Sequence, residues 1–122
     1  MNKLPDAEFE VMKVVWANEA PITTNIIMEQ LGKKKKWRAS TAITLLSRLI
    51  DRGFLRTEKN GKERSYFPLV RKEDYLRFET NNFMKLYHES SFASFVTALH
   101  SGKKISEKDI DELRKIIKEW RG

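Results

Sequence analysis

The stretch from Trp37 to Gly53 constrains this chain more than any other. Ala42, Leu45, Leu46, Leu49 and Ile50 recur at i, i+3, i+4, i+7 and i+8, which is one apolar stripe of a helix. Ser40 is placed to cap its start, and Gly53 to follow its end in the left-handed conformation. The opposite face carries Ser40, Thr41, Ile43, Thr44, Ser47 and Arg48. A helix face made only for solvent would be rich in Glu, Lys and Gln. This one is short, hydroxylated and uncharged at its N-terminal end, with Lys33–Lys36 and Arg38 before it and Arg52 after it. Such a face suits the major groove of DNA, where hydroxyls and methyls meet base edges and cations meet phosphates.

Charge supports the same partner. The chain of 122 residues has a net charge of +7, which favours polyanions. The excess is local. Between Lys33 and Arg64 there are eleven Lys plus Arg against Asp51, Glu58 and Glu63, a net of +8, so the remainder sums to about −1.

Around that helix the order is legible. Asp6 reads as an N-cap and Ala7–Asn18 as a first helix, mostly buried through Phe9, Val11, Met12, Val14, Val15 and Trp16. Pro21-Ile22-Thr23 reads as a short extended segment. Thr23 or Thr24 caps a second helix, Asn25–Leu31, with Gly32 as its stop and Lys33–Lys36 as a loop. After the third helix, Asn60-Gly61 stands between two β-prone runs, Phe54–Glu58 and Glu63–Phe67, and signals a hairpin. A strict two-residue turn at Asn60-Gly61 opposes Glu58 to Glu63 and Lys59 to Lys62, which is unfavourable; a longer loop pairs Glu58 with Arg64. Either register puts Lys59 and Lys62 at the tip, with Arg64 beside them, as in the wing of a winged helix.

The expected fold is therefore mainly α (α+β): a winged helix-turn-helix domain over residues 1–70, followed by a C-terminal helical dimerisation region over residues 71–122. That region reads as three helices. The first, Lys72–Glu89, carries Leu76, Phe83, Leu86 and Tyr87; the second carries Phe92, Phe95, Val96 and Leu99. The last opens on a Ser106/Asp109 capping box and carries Ile110, Leu113, Ile116, Ile117 and Trp120. Short helices with large aromatics are too few to bury one another in a monomer; packing against the winged helix is the alternative, but that domain closes its own core, so these residues are expected to form a homodimer interface.

Chemistry is sparse. There is no cysteine, which excludes disulfides and thiolate metal sites. His88 and His100 are isolated and are expected at the solvent edge, and no glycine loop or carboxylate pair stands out. No catalytic residue, metal site or cofactor is expected, and the chain does not read as an enzyme. It has neither a membrane-spanning run nor a signal-peptide core, so a cytoplasmic protein without membrane insertion is expected.

Glu8-Phe9-Glu10-Val11-Met12-Lys13-Val14-Val15-Trp16 resembles the first helix of the penicillinase-repressor (BlaI/MecI/CopY-type) family. So do Trp37-Arg38-Ala39-Ser40-Thr41, Thr44–Leu49 with Gly53-Phe54, and the closing Ile110–Ile116. The resemblance implies a dimeric winged-helix repressor on a two-fold operator of β-lactam resistance genes, linked to a membrane sensor-protease pathway. In one branch it implies copper-export genes, but that branch carries a C-terminal cysteine cluster and this chain has none. Members carry Lys and Arg at the positions of Ser40 and Ile43. The family's inducing cleavage matches the bond between Ala98 and Leu99, where members have Asn-Phe. Two alternatives stay open at this point: a winged-helix module that binds an acidic protein, and a repressor of an unrelated operon such as metal export. The hydroxyl-rich third helix favours DNA, since protein interfaces are anchored by Tyr, Trp, Arg or Leu.

Overall fold

A computed structural model describes all 122 residues, Met1–Gly122, and they form two compact units, Met1–Phe78 and Glu79–Gly122. Helix α1 is Asp6–Ala17. Its N-cap is Pro5, without a side-chain cap, so Asp6 is the first helical residue and not the expected cap. Asp6 and Glu8 instead place negative charge in the first turn, where the helix dipole favours it. Glu8, Val11, Met12 and Val15 are buried. Asn18 leaves the helix in extended backbone and exchanges two side-chain hydrogen bonds of 2.9 Å with Gln30.

Strand β1, Ile22–Thr23, leads directly into α2. The cap is Thr23, whose hydroxyl accepts the Ile26 N–H. Helix α2 begins as Thr24–Ile27, widens into a π-helical turn over Met28–Gly32 and closes with Lys33–Lys35. Gly32 is therefore not the stop expected of it, and Lys33–Lys35 are helical where a loop was expected. Gly32 serves packing: a Cβ there would lie 2.5 Å from Met28 Sδ. The turn comes at Lys36, with φ 57°, and the Trp37 N–H returns to the Gly32 carbonyl at 2.9 Å.

Helix α3, Ala39–Asp51, buries Ala42, Leu45, Leu46 and Leu49, as its periodicity requires. It starts two residues earlier than expected. Arg38, extended, is the N-cap, and its carbonyl accepts from Thr41 and Ala42; Ser40 lies in the first turn and caps nothing. Gly53 follows with φ 81°.

Strands β2 (Leu55–Asn60) and β3 (Glu63–Pro68) form the hairpin, and β1 pairs with β3 to complete a three-stranded antiparallel sheet in the order β1-β3-β2. Neither expected register occurs. Asn60 faces Glu63, Lys59 faces Arg64 and Glu58 faces Ser65. The turn is centred on Gly61-Lys62, with Gly61 at φ 63° in the first central position, the place that a type II′ turn gives to glycine.

The core joins Leu4, α1, Ile22, Ile27, Leu31, the α3 stripe, Phe54, Leu55, Tyr66 and Tyr75. Tyr75 comes from helix α4, Lys72–His88. It is 2% exposed, its hydroxyl accepts the Leu4 N–H at 2.8 Å, and Phe9, Trp16, Phe54 and Phe78 surround its ring at 5.5–6.4 Å between centroids. The first compact unit therefore runs to Phe78, past the boundary read from sequence after Val70.

The second unit holds the rest of α4, then α5 (Phe92–Ser101) and α6 (Glu107–Arg121). Glu89 and Ser90 adopt positive φ of 50° and 63°, and α4 stops at His88. Ser91 caps α5, and Ser106 with Asp109 forms the expected capping box on α6. From Glu79 onward no side chain is buried. Phe83, Phe95 and His88 cluster at 5.5–6.2 Å, and His88 Nδ1 lies 2.9 Å from Ser94 Oγ. His88 is thus half-buried rather than at the solvent edge; His100 is exposed. No helix is long and apolar enough to cross a membrane.

Candidate nucleic-acid interface

The buried stripe of α3 fixes what the helix turns outward. Ser40, Thr41, Ile43, Thr44, Ser47 and Arg48 are all exposed, and no acid interrupts the face before Asp51. Thr44 Oγ1 donates to the Ser40 carbonyl at 2.9 Å. Lys36 and Arg38, exposed, stand at the helix entrance. The hairpin contributes Lys59, Lys62 and Arg64, all exposed, with Lys59 and Arg64 directly opposite.

Two of these pieces and a third meet in one cleft of about 580 Å³, lined by Thr23, Thr24, Asn25, Ile43, Lys62, Glu63, Arg64 and Tyr66. The start of α2, the flank of α3 and the hairpin thus share one wall system. Thr24 and Asn25 were not singled out in the sequence. Their position after a capping threonine, at the start of a helix, was the available signal. Lys33, Lys34 and Lys35 project from the last turn of α2 rather than from a loop.

Arg52 departs from its expected place among the flanking cations. Its Nε donates to Glu8 Oε1 at 2.7 Å, and Glu8 is 1% exposed. The pair ties the C-terminal end of α3 to the first turn of α1. Sequence reasoning missed it because 44 residues separate the partners. Arg56, exposed, lies along the hairpin, with Glu58 at 2.6 Å and the Phe67 ring at 4.0 Å.

In the C-terminal half, Leu76, Phe83, Leu86, Tyr87, Phe92 and Trp120 are exposed, with Leu86 at 74% and Trp120 at 78%. Phe95, Val96, Leu99, Ile110, Leu113 and Ile117 are half-buried. Leu76 belongs to the first unit and the others to the second. Ala98 and Leu99 lie inside α5, and their carbonyls accept from the N–H groups of Gly102 and Lys104 at 3.1 Å.

Three helices, a three-stranded sheet and an exposed helix beside a basic hairpin define a winged helix-turn-helix domain of the DNA-binding type. The chain belongs to the penicillinase repressor family, whose pattern matches residues 4–119. It is 34% identical over 122 residues to the penicillinase repressor of Bacillus licheniformis, covering 98% of this chain and 94% of that one. It is 31% identical over 115 residues to the methicillin resistance regulatory protein MecI of Staphylococcus aureus (strain N315), covering 94% and 93%. Among solved structures, it is similar to the Bacillus licheniformis BlaI monomeric form in complex with the blaP half-operator. There the TM-score is 0.51 and the identity 39%, over 61% of this chain and 89% of that chain.

Proposed function

We propose that this chain is a cytoplasmic, dimeric transcriptional repressor. It holds a two-fold symmetric operator of β-lactam resistance genes and releases it on an inducing signal, with proteolysis in the C-terminal region as one route. The observation that carries the reading is the exposed, acid-free face of α3 from Ser40 to Arg48, set beside the basic hairpin tip. A helix with small hydroxyls outward fits closely against base edges, and the hairpin cations meet the backbone of the same duplex. The relative seen with a half-operator supports the choice of DNA over an acidic protein.

Dimerisation rests on the second unit. Its apolar side chains, Leu86 and Trp120 foremost, are left in water by a single copy. A second copy covers them and sets two recognition helices about 34–36 Å apart, one turn of DNA. Because the bond between Ala98 and Leu99 is helical, a protease reaches it only after α5 opens locally.

The test is a titration of full-length protein with its own upstream duplex and with random duplex across a salt gradient. The Lys36/Arg38 entrances and the two hairpins neutralise on the order of 6–10 phosphates per dimer, so affinity falls ~10³–10⁵-fold between ~50 and ~200 mM salt. A log–log slope shallower than about −3 refutes the paired phosphate clamp. Failure to bind any duplex refutes the DNA reading.

A further inference from the structure

The outward face of α3 lacks most groups that read a base with two hydrogen bonds. Guanine is read by a bidentate Arg or Lys, and adenine by a bidentate Asn or Gln. Between Ala39 and Asp51 there is no Lys, Asn or Gln, and the one Arg, Arg48, stands in the last turn of the helix. Base contacts in this architecture come from the N-terminal part of the recognition helix. There the largest outward side chain is Ile43, 48% exposed and without any donor or acceptor.

Thr44 beside it is also restricted. Its hydroxyl proton is committed to the Ser40 carbonyl at 2.9 Å. What remains for the groove is a methyl group and oxygen lone pairs. A hydroxyl held this way cannot donate to guanine O6 or N7, nor to thymine O4. Ile43 also lines the cleft with Lys62 and Arg64. Cations on that side fix a strand without reading it, and the single hydroxyls of Ser40, Thr41 and Ser47 pair with donors and acceptors alike, so the apolar contact carries the sharpest discrimination.

We infer that Ile43 and Thr44 read the operator through the C5 methyl groups of thymine, so that each half-site is specified by methyl contacts rather than by guanine acceptors. Among the four bases only thymine presents a methyl in the major groove. The inference rests on the DNA reading above and goes further by naming the base and the atom.

The experiment begins with duplexes that the full-length chain selects from a random pool. Each thymidine in the selected site is then replaced by deoxyuridine, which deletes the methyl and leaves every hydrogen-bonding group in place. At one or two positions per half-site the affinity drops about fourfold, the loss of one buried methyl-sized group, and about sixteenfold when both half-sites are changed. Ile43→Ala lowers the discrimination between the thymine and uracil duplexes to the share carried by the Thr44 methyl, and Ile43→Val keeps more of it. Because Ile43 lies outside the core, both variants fold, which a thermal melt verifies. Equal binding of thymine and uracil duplexes by the unaltered chain overturns the inference, as does undiminished discrimination by Ile43→Ala. A chain that retains no duplex from the pool overturns the DNA reading first, and the two failures are thereby distinguished.

Discussion

Cutting the chain after Val70 removes Tyr75 and Phe78 from the DNA-binding unit, and a fragment of residues 1–70 is expected to be much less stable than one of residues 1–78. Tyr75 is 2% exposed within a cluster of four other aromatic rings. An aromatic side chain buries 150–250 Å², worth ~4–6 kcal/mol as an upper bound at about 25 cal/mol per Å². Aromatic-to-alanine changes in cores cost roughly 3–5 kcal/mol, and that range is the better guide. Such a loss is a large fraction of the ~5–15 kcal/mol that holds a small domain. The assay is urea unfolding of the two fragments followed by far-UV circular dichroism. With m near ~1.5 kcal/mol/M, the shorter fragment unfolds at least roughly 2 M earlier. Within residues 1–78, Tyr75→Phe keeps the ring and loses the hydroxyl that accepts the Leu4 N–H, and the loss of that hydrogen bond costs about 0.5–1.5 kcal/mol. Equal midpoints for 1–70 and 1–78 refute the argument, because the first turns of α4 would then contribute nothing to the core.

Three further outcomes follow from the same contacts. Lys59→Ala weakens binding to operator and random duplex by the same factor and makes the salt slope shallower by about one per wing; a selective loss on the operator counts against a phosphate role for Lys59. Truncation after Ala98 removes α6 and should cost ~10²–10⁴ in operator affinity while leaving the first unit folded; a 1–98 fragment that sediments as a dimer and binds fully shows that α6 is not the switch. The backbone N–H of Ser106, then its side chain, hold the Asp109 carboxyl below its ordinary value of 3.8. A lowered value stabilises the fold above pH 3.8, and that stabilisation is lost as pH falls from there through the lowered folded value. Helicity of α6 should therefore decline at the acid end, and Ser106→Ala should flatten that dependence, both read by circular dichroism.

What could be read from the sequence, and what could not, divides by the range of the interaction that decides each feature. The two faces of α3 were legible because a helical period sorts side chains locally: the structure buries Ala42, Leu45, Leu46 and Leu49 of the predicted stripe, leaves Ile50 half-buried at its end, and exposes the predicted face. The capping box at Ser106 was legible for the same reason. Gly32 was misread because a glycine after a leucine looks like a helix stop, whereas here Met28 needs the space above it. The Glu8–Arg52 pair and the place of Tyr75 depend on partners 44 and 71 residues away, and no window of sequence carries that information.

The hairpin register adds a different lesson. Asn60-Gly61 suggested the centre of the turn, but the chain places Gly61 first and Lys62 second. That choice avoids Glu58 against Glu63, yet it sets Lys59 directly against Arg64. Like charges opposed on neighbouring strands repel, and neither Lys59 nor Arg64 forms an ion pair with the adjoining Glu58 or Glu63; Glu58 pairs with Arg56 instead. A free hairpin gains nothing from this pairing. A hairpin against a phosphate backbone does, because one anion answers both cations and the repulsion becomes attraction on binding. Local rules broken without local compensation are expected where a chain does its work. The pair Lys59 and Arg64 is such a break, and it stands on the element that the fold extends toward DNA.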